Sequence, residues 1–252
     1  MMKEACEKRA STILDIPGKK LAFDSTTIPL CLATFTWAKF RRKKGGVKAH
    51  VLYDIETQVP AFNTVSTASK HDSIAMSTIP YEPNAYYIFD RAYDSFKELY
   101  RIHLTGSYYV VRAKTNLKYK VVKWKRRIPK NILTDAEVKL TGYLSEKKYP
   151  DSFRLIRFYD EEDEREFTFL TNAKHITAND VAELYKKRWL VELFFKWLKQ
   201  HLKIKRCWGT TENAVRIQIS VAIITYCLVA ISNMICNWIA QPMRSCRFLV
   251  YH

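Results

Sequence analysis

Between residues 183 and 206 the chain reads E-L-Y-K-K-R-W-L-V-E-L-F-F-K-W-L-K-Q-H-L-K-I-K-R, with neither Gly nor Pro. Leu, Lys and aromatic residues recur there at helical spacing, which predicts one long helix. Thr177-Ala178-Asn179-Asp180 just upstream has the form of a capping box, so the helix should begin near Ala178. With Tyr185 as the zero of angle and roughly 100° per residue, Arg188, Glu192 and Lys199 fall near 300°, 340° and 320°, a narrow polar stripe. Leu190, Val191, Leu193, Phe194, Trp197 and Leu198 fill the arc from roughly 80° to 240°, the side expected to be buried. A second helix is predicted over 217–240, a stretch without a single charge. It is long enough to cross a bilayer. Gln218, Ser220, Thr225, Ser232, Asn233 and Asn237 make it polar for that purpose, so it reads as a core helix and no membrane is expected.

Before these helices the period shortens. Residues 21–32, L-A-F-D-S-T-T-I-P-L-C-L, begin as a β-type run with Asp24 inside it. Strands over 47–54 and 59–67 complete an antiparallel meander, and K-H-D-S at 70–73 opens a short helix that Asp72 or Ser73 could cap. The apolar run A-Y-Y-I-F-D at 85–90 predicts a strand with Asp90 at its carboxyl end, then a helix and a strand over 107–112. Carboxyl ends of strands are where open α/β sheets build their sites. This order matches an α/β fold, a ribonuclease H-like catalytic core of mixed sheet flanked by helices. A β-rich insertion over 114–170 precedes the third acidic residue. The expected division is a connector over 1–20, core over 21–113, insertion over 114–170 and core again over 171–252.

Charge changes the picture from fold to partner. The net charge is +17 on 252 residues, and it is clustered. Nine Lys or Arg lie between Arg112 and Lys130 with no acid, interleaved with Tyr119 and Trp124. Arg41, Arg42, Lys43 and Lys44 form a basic turn. Such clusters favour an extended polyanion, with strands gripping phosphates and Trp124 stacking on a base, although Trp124 also reads as an ordinary sheet aromatic. The six cysteines show no C-x-x-C pair and no zinc-finger spacing, so buried free thiols of a reducing cytosol are expected. With 48% hydrophobic residues, general disorder is excluded.

Three acids then stand out: Asp24 in a strand, Asp90 at a strand end and Glu192 on a helix. Glu192 is the one carboxylate among eight Lys or Arg between Tyr185 and Thr211. An acid on a face built for phosphate would repel it unless a cation sat between them, and hard divalent cations take carboxylate oxygens.

The spacing Tyr185, Arg188, Glu192, Lys199 resembles the Tyr-x2-Arg-x3-Glu-x6-Lys signature of a group of bacterial insertion-sequence DDE transposases. F-D-S-T-T-I around Asp24 and F-D-R-A-Y-D around Asp90 are similar to the group's first two acidic motifs, and the likeness runs over about residues 20–240. It implies catalysis by Asp24, Asp90 and Glu192 as ligands of two Mg²⁺ ions, for which Mn²⁺ can substitute. It implies cleavage at transposon ends and strand transfer into target DNA, with Tyr185, Arg188 and Lys199 holding phosphates. The implied partner is double-stranded DNA in the bacterial cytoplasm, and a homodimer in a synaptic complex is left open. Members of the group generally carry a sizeable N-terminal region that recognises transposon ends; by that measure the chain reads as an N-terminally short copy. Two other readings remain: a remnant that only binds DNA, and a stand-alone ribonuclease H-like nuclease.

Overall fold

The computed structural model describes residues 15–42, 44–201 and 207–247; of residues 40, 41 and 234–247 it describes the backbone only. Ten strands form a single mixed sheet. Strand β1 (Lys20–Leu30) pairs antiparallel with β3 (Lys44–Asp54), which pairs antiparallel with β4 (Pro60–Thr67) and with the short β2 (Lys39–Arg41). On its other side β1 runs parallel to β5 (Tyr86–Phe89), and β5 parallel to β6 (Tyr108–Arg112). All four residues of β5 are buried, as expected of a parallel strand covered on both faces. Beyond β6 the sheet turns antiparallel through β10 (Arg165–Thr171), β9 (Phe153–Asp160), β8 (Ile132–Leu140) and β7 (Tyr119–Trp124). The strands of 114–170 thus add to the same sheet.

Side chains alternate across the pleat, so each strand feeds two cores. Ala22, Tyr86, Ile88 and Val110 face a layer built from α4 (Ala178–Lys187), α5 (Trp189–His201) and α6 (Glu212–Arg247). Leu21, Phe23, Tyr87, Phe89 and Tyr109 face the other layer, where α1 (Asp72–Ala75), α2 (Phe96–Leu104) and α3 (Tyr143–Lys148) lie. The same parity sends Asp24 and Asp90 toward α4 and α5, and Ser25 toward α1.

Five expectations change. The long helix is two, α4 and α5, separated at Arg188. There the backbone bonds tighten to i→i−3, from Arg188 N–H to Tyr185 O at 3.0 Å and from Val191 N–H to Arg188 O at 3.1 Å. Residues 202–206, assigned to the same helix from sequence, lie outside the described residues. The buried side of α5 also differs. Val191, Phe194, Phe195 and Leu198 are buried, whereas Leu190, Leu193 and Trp197 are only partly covered. The core-facing direction is therefore near 230° rather than 160°, at roughly 100° per residue. The polar stripe borders the buried face instead of opposing it, which is why Arg188 and Glu192 are half-buried. The cap of α1 is His71, whose ring nitrogen accepts the Ser73 N–H, so Asp72 is released for other contacts. Among its described side chains, the charge-free stretch is buried on one face only, with Ile219, Ala222 and Ile223 inside, next to Val215 just before it, and a row of aliphatic side chains outside. The described thiols are free but not buried: Cys31 is exposed, and Cys207 and Cys227 are half-buried. Cys6 lies outside the described residues, as do the side chains of Cys236 and Cys246. The capping box at Thr177 forms as expected, with Asp180 reciprocating.

Candidate active site

Register brings the first two acids together. Phe23 lies opposite Phe89 in the parallel pairing of β1 and β5. Asp24 follows on β1, and Asp90 comes one residue past the end of β5, where neighbouring strands run about 4.8 Å apart. Helices α4 and α5 cross above them, and the tight turn at Arg188 aims three side chains of the stripe down at the sheet. The Tyr185 hydroxyl donates to Asp90 Oδ1 at 2.8 Å. Arg188 donates from Nη1 to Asp24 Oδ2 at 3.0 Å and from Nη2 to Glu192 Oε1 at 2.5 Å. One guanidinium thus spans two carboxylates 168 positions apart in the chain, and a phenol one helical turn away holds the third.

The electrostatics follow from burial. Desolvation pushes the Asp24 carboxyl up to about 6; Arg188 and the Ser25 N–H at 2.8 Å pull it down, and Glu192 and Asp90 push it further up. Burial, then the Asp90 charge, pushes the Tyr185 phenol up to about 12, so it stays a donor at neutral pH. Burial works against the charge on Arg188, but Asp24, Tyr185 and Glu192 outweigh it and raise its pKa. Arg188 Nε is buried without a partner among the described residues. Among the described residues the guanidinium is therefore not fully satisfied where it lies.

Do these residues suit a divalent ion? Among the described residues no three His, Cys, Asp or Glu side chains are grouped closely enough to hold one as they stand. A cation nevertheless sits among them, the guanidinium of Arg188. Three carboxylates are the donor set hard dications take. Burial raises the Asp24 carboxyl more than the Arg188 charge lowers it, so its charged form has room for a further cation. The residues fit a dication chemically, provided Arg188 and Tyr185 release the oxygens they now occupy.

Residues 17–228 match the transposase DDE domain family. The chain belongs to that family. It is 35% identical over 225 residues to a Sinorhizobium fredii protein named as a transposase, y4zB, covering 87% of this chain and 62% of the relative. It is 31% identical over 227 residues to a protein of Geobacillus stearothermophilus named as the transposase for insertion sequence element IS5377, covering 88% and 59%. A Synechocystis protein named as the transposase for IS4SA is 29% identical over 190 residues, covering 71% and 51%. The chain therefore spans between half and two-thirds of the length of these relatives. Among solved structures, the piggyBac transposase in a synaptic complex with hairpin DNA aligns at a TM-score of 0.48 and 12% identity, over 82% of this chain and 45% of that one.

In this DDE domain the remaining sequence candidates are spread out. Lys199 is half-buried further along α5. Arg42 and Lys44 are exposed at the β2–β3 turn, Lys43 lies outside the described residues, and Arg41 is described by its backbone alone. Trp124 is exposed on β7. Strands β2 and β7 end the sheet on opposite sides, eight strand spacings apart, or about 38 Å at the usual ~4.8 Å each. The basic turn and Trp124 are not parts of one patch. One group was missed from sequence. Asp72 Oδ1 accepts the Ser25 hydroxyl at 2.9 Å, and both its oxygens accept Lys48 Nζ at 3.0 Å, which ties α1 to β1 beside Asp24. Its one visible signal was the K-H-D-S run at 70–73, where a helix cap was expected of Asp72 or Ser73.

Proposed function

We propose that this DDE domain is the catalytic core of an insertion-sequence transposase of the Tyr-Arg-Glu-Lys signature group. It cuts DNA at transposon ends and transfers the strand into target DNA. The observation that carries the reading is the Arg188 guanidinium joined to Asp24 and Glu192 while Tyr185 holds Asp90. The strand order β4-β3-β1-β5-β6, antiparallel then parallel, supports a ribonuclease H-like core, with β7 to β10 as its β-rich insertion.

Asp24, Asp90 and Glu192 would hold two Mg²⁺, with Mn²⁺ able to replace them. When bound, such ions activate an attacking oxygen and stabilise the leaving one. The side chains do the rest. Tyr185 orients Asp90 through its hydroxyl. Arg188, once released by the carboxylates, presents a planar fork that suits two phosphate oxygens, whereas Lys199 acts as a point charge. The exposed Arg42 and Lys44 at one edge and the basic β7 at the other take the backbone of double-stranded DNA, in the bacterial cytoplasm.

The test is cleavage and strand transfer on a pre-nicked transposon-end duplex with Mg²⁺. The wild type should act and Glu192→Gln should not, while both bind the duplex. Equal behaviour of the two would overturn the catalytic reading; retained binding with no activity in either would leave a DNA-binding remnant.

A further inference from the structure

On the face of the sheet away from α4 and α5, a polar group lies directly beneath Asp24. The parallel pairing of β1 with β5 ends at Phe23 and Phe89, whereas the antiparallel pairing of β1 with β3 continues to Leu30. Asp24 and Ser25 therefore sit at a fork, where β1 has lost one of its two lateral supports. Ser25 is anchored there on both faces. Its N–H donates to Asp24 Oδ1 at 2.8 Å, and its hydroxyl donates to Asp72 Oδ1 at 2.9 Å. Asp72 is gripped in turn by Lys48 Nζ, 3.0 Å from both of its oxygens, and Lys48 also donates to Lys70 O at 3.3 Å. The Lys48 side chain is 14% exposed and that of Asp72 23%, too covered for a solvated surface pair of little worth.

The second acid is packed against the same fork. Tyr93 ends the turn Arg91–Tyr93 that follows Asp90, and its N–H donates to Asp90 O at 3.0 Å. Its buried ring meets Phe23 edge-on at 5.2 Å and lies 6.1 Å from Phe89, the residues that precede the two acids. What Tyr93 does for Asp90 by packing, Ser25 does for Asp24 by hydrogen bonds. Metal–ligand distances hold to about 0.2 Å, so the rotation of the Asp24 carboxylate matters. Arg188 holds Oδ2 and the Ser25 N–H holds Oδ1. Once Arg188 lets go, the Ser25 N–H is what sets that rotation.

We infer that Asp72, clamped by Lys48, is a positioning residue for Asp24 and acts on it through Ser25. The inference rests on the proposed binding of divalent ions by Asp24, Asp90 and Glu192, and extends it to two side chains on the opposite face of the sheet.

Positioning and bare charge have opposite signs at Lys48. Removing its charge makes the surroundings of the acids more negative, so by Coulomb attraction alone Lys48→Met would bind a dication more tightly. With Asp72 set adrift it binds more weakly. The experiment is a Mn²⁺ titration of the full chain, read from the electron paramagnetic resonance signal of free Mn²⁺, with Tm recorded alongside. The wild type should bind and Glu192→Gln should lose affinity. Ser25→Ala and Lys48→Met should each raise the Mn²⁺ Kd about 10- to 100-fold, the usual effect of losing a partner behind a metal ligand. Ser25→Thr, which keeps the hydroxyl, should stay close to the wild type. Variants that lower Tm but leave Kd unchanged would reduce the group to a brace of the fold and overturn the inference, as would tighter binding by Lys48→Met. A wild type that binds no Mn²⁺, or a Glu192→Gln that binds it equally well, removes the metal reading itself and this inference with it.

Discussion

Replacing Arg188 by Met tests the arrangement of the site most directly. Met keeps much of the aliphatic stem and deletes the charge and both hydrogen bonds, to Asp24 at 3.0 Å and Glu192 at 2.5 Å. Removing one partner of a buried ion pair costs about 3–5 kcal/mol. Here Arg188 and Asp24 are largely covered but Glu192 is one-third exposed, so about 3 kcal/mol at pH 8 is the reasonable expectation, with solvent screening the Glu192 half. For a chain of this size that is a fall in Tm of roughly 6–12 °C. At pH 5 the penalty should shrink, because the Asp24 carboxyl, already pushed up to about 6, takes a proton instead. The second half of the experiment adds Mn²⁺. If Arg188 occupies the position of a cation, the ion replaces it. An ion at about 100 times its dissociation constant contributes about 2.7 kcal/mol, enough to bring the variant close to the wild type, in which the ion must first displace the guanidinium. Thermal denaturation with and without Mn²⁺ reads both effects. A gap at pH 8 that Mn²⁺ leaves unchanged, or no gap at all, refutes the reasoning.

Two further outcomes follow from buried charge. Burial lowers the His50 imidazole to about 4, with Asp72 opposing and Lys48 assisting. The folded chain therefore binds fewer protons at His50 between pH 4 and 6.5, and stability falls as pH drops through that window, by roughly 3 kcal/mol. Asp24 has the opposite sign. Raised from 3.8 to about 6, it makes the folded chain bind more protons between those values, so stability falls as pH rises through them, again by roughly 3 kcal/mol. The two contributions oppose each other in the wild type. Asp24→Asn should unmask the His50 loss in urea titrations between pH 6.5 and 4, and a flat profile in that variant contradicts the assignment. Away from the site, Arg154 donates to both oxygens of Asp135 at 2.7 and 2.6 Å and to Ile176 O at 2.7 Å, with both side chains 4% exposed. Arg154→Leu should cost about 3–5 kcal/mol, while the Asp135→Leu/Arg154→Leu pair should recover most of it; a double variant no better than the single would speak against a mutual pair.

Local sequence carried a good deal of this. The strands about Asp24, Asp90 and Tyr108 were legible because an apolar run that ends at an acid or a turn has few other ways to fold. The capping box at Thr177 was legible because both partners lie within one turn. The apolar face of α5 was misplaced, since angular position along a helix depends on every turn being regular and the one at Arg188 is not. His71 took the capping role assigned to Asp72 or Ser73, because Asp72 found Lys48 and Ser25 in space.

Sequence alone singled out Asp24, Asp90 and Glu192, the spacing that puts Tyr185, Arg188 and Glu192 within two helical turns of one another, and the basic clusters along the chain. These are properties of neighbours in the chain. Only the tertiary structure decided that Arg188 lies between Asp24 and Glu192, that the basic turn and Trp124 belong to opposite ends of a sheet, and that one face of the charge-free stretch is exposed among its described side chains. Each depends on strand order and on which side of the sheet a helix lands, and both are set by long-range packing that no local pattern encodes.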